Sequence, residues 1–216
     1  TRRYADYMGA GQRSSSRFLD IMNVRYVIVS PRSAPGQTAR ATQVFVEGDI
    51  SVYERSDYLP RAYVVTDARS FTSERDVMSA LNSPGFDPSR SVILEGATPE
   101  AARQGDIATV GDVSSKVDVL TYEPENVAIE AEAARSGYLV LADTYYPGWE
   151  ARVDGELTPI YRANYLFRAV PLPAGRHVVE FSYHPLSVGL GALLTVVSGF
   201  SVIGVLALAI FRRRAE

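Results

Sequence analysis

Residues 127–161 read VAIEAEAARSGYLVLADTYYPGWEARVDGELTPIY, and their patterning decides the fold. Val127, Ile129, Ala131 and Ala133 alternate with Glu130 and Glu132, as in a strand with one buried face. Tyr138–Tyr146 is a second, more apolar strand, closed by Pro147-Gly148. Trp149, Ala151 and Val153 alternate with Glu150 and Arg152, and Asp154-Gly155 supplies a two-residue hairpin turn of the kind that needs positive φ. Glu156–Tyr161 reads as the returning strand. Tyr165–Leu172 and His177–Tyr183 read as another hairpin around Pro173-Ala174-Gly175, with Val179, Phe181 and Tyr183 on one face. Short strands at this spacing, with no helix signal, predict a small antiparallel β-sandwich over residues 113–184.

Upstream, residues 18–112 are mixed. Val24–Ser30, Val44–Tyr53 (bent at Glu47-Gly48-Asp49), Arg61–Thr66 and Ser91–Leu94 read as strands. Ser73 is a candidate N-cap for a short helix reaching Leu81, and Thr98-Pro99-Glu100 is a second helix start. Strands alternating with helices predict a small α/β layer ahead of the sandwich, an α+β chain as a whole. Ser33–Thr42 and Asn82–Arg90 read as loops. Residues 1–17, with little periodicity, read as a connector.

Leu186–Phe211 holds 26 residues without charge, Asn, Gln or Pro, and 15 of them are Leu, Ile, Val or Phe. Their insertion preference sums to about 6 kcal/mol with no charge opposing it. A helix of this length spans about 39 Å, enough to cross a hydrocarbon core with some tilt. Arg212, Arg213 and Arg214 follow at once, whereas Arg176 alone precedes it within fifteen positions. The positive-inside rule then predicts a cytoplasmic tail over residues 212–216 and an extracytoplasmic domain over 1–185. A domain preceding such a span has to be translocated, so a signal or membrane helix is expected upstream of Thr1. Ser187, Gly191, Thr195 and Gly199 recur every four residues, a small-residue face on which another membrane helix can pack. The expected partners are the bilayer and upstream transmembrane helices of the same protein.

The net charge of −3, with no basic stripe, gives no reason to expect nucleic acid. Cysteine is absent, which excludes disulfides, thiol catalysis and thiolate metal ligands. No phosphate-binding Gly-rich loop and no nucleophile elbow occur, and no cofactor or metal is expected. Of the two histidines, His177 reads as an exposed strand-end residue. Asp143, Tyr145, Tyr146 and Trp149 are carbohydrate-contact candidates, because aromatics beside a carboxylate can stack on and hydrogen-bond a sugar ring. The alternative is that Trp149 fills the core while Asp143 caps a turn through its backbone. No catalytic residue is assigned.

The runs Leu139–Trp149, Val153-Asp154-Gly155, Asn164–Val170, Pro173-Ala174-Gly175 and Phe181–Pro185, with Asn23–Val27 and Leu59–Ala62 upstream, resemble the C-terminal end of YfhO-type bacterial membrane proteins. That resemblance implies a polytopic protein related to GT-C glycosyltransferases, which move sugars from lipid-phosphate donors. It places the catalytic acid in an N-terminal loop outside this chain. Two functions are therefore expected as alternatives. One is an accessory domain of a lipid-linked-sugar transferase acting on the cell envelope, with a polyprenyl-phosphate sugar or envelope polymer as partner. The other is a non-catalytic, membrane-tethered β-domain for envelope binding or assembly.

Overall fold

The computed structural model describes residues 2–14, 17–30, 41–97 and 115–214. Along the chain run α1 (Arg2–Ser14), α2 (Arg17–Ile21), β1 (Tyr26–Val29), β2 (Ala41–Glu47), β3 (Ile50–Arg55), β4 (Ala62–Val65), β5 (Asp67–Phe71), α3 (Glu74–Asn82) and β6 (Ser91–Glu95). After them come β7 (Lys116–Tyr122), β8 (Asn126–Ala133), β9 (Gly137–Leu141), β10 (Trp149–Val153), β11 (Glu156–Thr158), β12 (Tyr161–Ala163), β13 (Phe167–Leu172), β14 (Gly175–Tyr183) and α4 (Leu186–Arg214). The described chain is mostly β, in several sheets, with few helices and one C-terminal apolar helix.

The strands form three sheets, ordered β1-β3-β2, β11-β10-β14-β8-β7 and β4-β9-β13-β12-β6-β5. In β8 the buried residues are Val127, Ile129, Ala131 and Ala133, the alternation of a strand with one wet face. These side chains, with Ala151, Val179 and Phe181 of the same sheet, share one apolar cluster with Ala62, Leu139, Leu141, Val170 and Leu172 of the six-stranded sheet. The opposite face of that larger sheet buries Tyr63, Val65, Tyr138, Val140, Phe167 and Ala169 against Tyr7, Phe18, Ile21, Val77 and Leu81 of the helices. All five residues of β9 are consequently buried, which is why the strand reads as a continuous apolar run.

Several expectations change. Residues 1–17 are not a featureless connector: Arg2–Ser14 is helical, held by fully buried Tyr7 and by Arg3, which donates to both oxygens of Glu95 at 2.8 Å. Val44–Tyr53 is not one bent strand but the hairpin β2–β3, turning at Gly48 with φ +53°. This small sheet docks through Arg55, which is buried and donates to Asp20 of α2 and to the Val24 carbonyl. Strands β5 and β7 were not expected. β5 pairs in parallel with β6, the connection passing through α3. Ser73 stands at the N-cap of α3 without a side-chain capping bond.

β9 ends at Leu141, not Tyr146, because Asp143 N–H folds back onto the Leu141 carbonyl at 2.7 Å. The strand expected over Glu156–Tyr161 splits around Pro159, which has no N–H for a ladder: β11 pairs with β10, while β12 joins the other sheet. β13 and β14 are not a hairpin. β13 pairs with β9 and β12, β14 with β8 and β10, and Pro173-Ala174 carries the chain from one sheet to the other. The border expected at residues 112/113 does not part the sheets either, since β4, β5 and β6 lie in one sheet with β9, β12 and β13. The helix start at Thr98-Pro99-Glu100 lies outside the described residues.

Candidate functional site at the helix-proximal end

Register fixes which residues gather near α4. β14 ends at Tyr183, paired with Trp149 at the start of β10, and Ser182 pairs with Asn126 at the start of β8. In the six-stranded sheet Arg168 of β13 is paired with Leu141, itself paired with Ala62. His184 N–H donates to the Gly148 carbonyl (2.7 Å), and Tyr183 N–H to the Glu125 carbonyl (2.9 Å), so the chain entering α4 is stitched to this end. Gly148 has φ +100°, and a Cβ there would lie 3.1 Å from the Tyr183 ring and 3.3 Å from Pro185 Cα.

Arg168 occupies the inward position of β13, in step with Val170 and Leu172, and is 3% exposed. Its guanidinium carbon lies 4.0 Å from the Trp149 ring centroid and 5.5 Å from that of Phe181, so a cation closes the end of the inter-sheet core against two π faces. Arg168 Nη2 donates to Asp143 Oδ2 at 3.0 Å, while its buried Nε and Nη1 have no hydrogen-bond partner. Burial pulls the Arg168 pKa down, partly offset by the Asp143 charge. Arg61 Nη1 donates to Asp143 Oδ1 (3.0 Å) and to the Tyr122 hydroxyl (3.1 Å), and that hydroxyl donates to Asp143 Oδ1 (2.9 Å). Burial, followed by the bond to Asp143, raises the Tyr122 pKa.

The four carbohydrate-contact candidates are thus distributed over three settings. Asp143 is the hub of the arginine network through its carboxylate, while its backbone N–H closes the turn onto the Leu141 carbonyl. Tyr145 lies under Arg162, whose guanidinium is 4.5 Å from its ring centroid and 3.2 Å from Glu95. Tyr146 and Trp149 both approach Tyr183, at 6.3 and 5.3 Å between centroids. Trp149 is only partly buried, packed on the rim of the inter-sheet cluster. Tyr145, Tyr146, Trp149, Leu157, Thr158 and Ile160 are among the residues lining a depression of about 240 Å³. Arg61, Tyr122 and Arg168 were not singled out from sequence; the signal for Arg168 was its parity with Val170 and Leu172.

At the far end of β14, His177 Nδ1 lies 2.6 Å from Asp154 Oδ2 beside a groove of about 650 Å³. The hydrogen bond to Asp154 raises the His177 pKa, with burial opposing, so His177 is a paired residue. Among the described residues, no group of three or more His, Asp or Glu could hold a metal ion. In α4, Ser187–Val205 is long and apolar enough to cross a bilayer. On the small-residue face Thr195 Oγ1 donates back to the Gly191 carbonyl (2.9 Å), and a Cβ at Gly191 or Gly199 would meet nothing within 4 Å.

Residues 108–195 match the family model described as bacterial membrane protein YfhO. This is a YfhO-type membrane-protein region. It takes in β7 to β14 and the first turns of α4, hence Tyr122, Asp143, Trp149 and Arg168, while Arg61 lies upstream of it. An uncharacterized protein YfhO of Bacillus subtilis (strain 168) is 25% identical over 91 residues, which are 42% of this chain and 11% of that protein. The chain therefore spans only about a tenth of that relative. No solved structure matches.

Proposed function

We propose that the chain is an extracytoplasmic accessory domain, tethered by α4, of a larger membrane enzyme that transfers sugar from a polyprenyl phosphate to a cell-envelope polymer. In this reading the two sheets sharing the core form a β-sandwich with an α/β layer on its outer side. Residues 1–185 stand outside the cell, and the small-residue face of α4 packs on upstream helices. The observation that carries the reading is the stitching of the aromatic and arginine-rich end of the β-domain to the head of an apolar, bilayer-length helix. Such an end lies at the level where a lipid-linked donor presents its phosphate and sugar. Arg61, with its side chain 44% exposed, supplies positive charge there, and the Tyr146–Trp149 wall supplies stacking surface. Asp143 is engaged by three donors of its own chain, which suits positioning of arginines more than proton transfer.

The test uses the full-length protein in proteoliposomes with a polyprenyl-phosphate sugar and an envelope polymer. Removing residues 18–185 should abolish transfer to the polymer while donor binding persists. Unchanged transfer would overturn the accessory role. So would sustained turnover by the 216-residue chain alone that is lost on changing one of its own acids. Orientation is checked by a cysteine placed after Glu216, which should resist an impermeant thiol reagent in intact cells.

A further inference from the structure

Tyr183 ends β14 only three positions before Leu186 opens α4. Three residues of extended chain reach at most about 10 Å, so the rings around Tyr183 cannot lie far from the bilayer boundary. The apolar stretch is longer than a hydrocarbon core is thick, and tilt absorbs the excess, leaving Leu186 at that boundary. Around it, Tyr122 and Tyr146 are each 54% exposed, and Trp149 and Tyr183 are partly exposed. Trp and Tyr favour the headgroup level because one part of each ring system is apolar and another carries a polar hydrogen. Arg61, Glu123, Glu125 and Glu150 flank the same end, and their charges oppose entry into hydrocarbon.

We propose that Tyr122, Tyr146, Trp149 and Tyr183 form an interfacial collar seated in the lipid headgroup layer, which sets the height of the β-domain above the membrane. The proposal rests on α4 spanning the bilayer, and places the aromatic residues lining the depression at the headgroup level. The collar stops at the headgroups because the charged rim stays wet. Tyr146 and Trp149 pack on Tyr183, Trp149 on Arg168 and Tyr122 on Arg61, so the seat is joined to both sheets.

Trp149 is the chain's one tryptophan and reports its own depth. The 216-residue chain is reconstituted in phosphatidylcholine vesicles carrying a nitroxide either on the headgroup or at mid-acyl chain. Headgroup nitroxide should quench Trp149 emission at least about twofold more than mid-chain nitroxide. A second reporter, Phe200→Trp in a Trp149→Phe background, should show the reverse order, because Phe200 lies near the middle of α4. If that reporter reverses as expected while Trp149 responds to neither lipid, the collar is overturned and the span stands; a protein surface or water then covers the rings. Deep quenching of Trp149 by the mid-chain label also overturns the headgroup seat. If neither reporter senses lipid, the membrane reading fails and the collar with it.

Discussion

Replacing Arg168 by methionine probes how a cation is tolerated at the end of an apolar core. The side chain is 3% exposed and makes one hydrogen bond, to Asp143, leaving two buried nitrogens without acceptors. In its favour stand one charge-assisted hydrogen bond, about 1.5–3 kcal/mol, and a desolvated cation–π contact of about 2 kcal/mol. Against it stand the unsatisfied donors, about 1–3 kcal/mol each, and the desolvation of the guanidinium itself. These terms roughly cancel, so Arg168→Met should change stability by no more than about 1 kcal/mol. Asp143→Ala differs, because it leaves the buried cation without its partner, and should cost about 3–5 kcal/mol. The double variant should recover most of that loss, since methionine needs no counter-charge. Urea titration in nanodiscs, followed by Trp149 emission, measures all three changes. If Arg168→Met proves as damaging as Asp143→Ala, or the double variant as damaging as Asp143→Ala, the uncompensated-charge argument is wrong.

Gly137→Ala should lower the urea midpoint by an amount equivalent to about 1–3 kcal/mol, because a Cβ there would sit 2.2 Å from the Val65 carbonyl oxygen on the neighbouring strand. At the distal end, the His177 imidazole should titrate above its ordinary 6.5 by NMR, and Asp154→Asn should bring it back towards that value. His177 has a raised folded pKa and Asp154 a lowered one, from the ordinary 3.8. The stabilisation from this pair is therefore largest between about pH 3.8 and 6.5, fading as pH rises through the folded midpoint of His177 or falls through that of Asp154.

How far the fold was legible depended on whether local patterning and tertiary environment agreed. β8 and the Asp154-Gly155 turn were readable because one face is buried and the turn needs positive φ, here 51° and 84°. The end of β9 was not, because Thr144, Tyr145 and Tyr146 keep strand propensity while the backbone turns at Asp143 to meet Arg61 and Arg168. Pro173-Ala174-Gly175 was correctly a turn, but turn residues do not say whether the next strand pairs with the last or crosses to a facing sheet. α1 is amphipathic but has few apolar residues and two glycines, and is held by tertiary contacts of Tyr7 and Arg3. At the site, Asp143 and Trp149 stood out by residue type. The arginines did not, because an arginine within a strand ordinarily marks its wet face, and only the facing sheet turns the Arg168 position inward.

The two ends of β14 are chemically unlike, and their separation bears on which can serve a membrane reaction. Six residue steps from Tyr183 back to His177 span about 20 Å. On the proposed function, a substrate held in the bilayer by a lipid tail presents its headgroup nearer to Tyr183 than to the His177–Asp154 pair if β14 stands upright. Arg61, Trp149 and Tyr146 are then the positions where substitution should change that lipid-linked chemistry more than substitution of His177 or Asp154 does. Should β14 instead lie flat, both ends would meet the headgroups, and a nitroxide on the lipid headgroup would broaden the His177 imidazole signals as strongly as it quenches Trp149. Unaffected His177 signals beside a quenched Trp149 are the result expected for an upright domain.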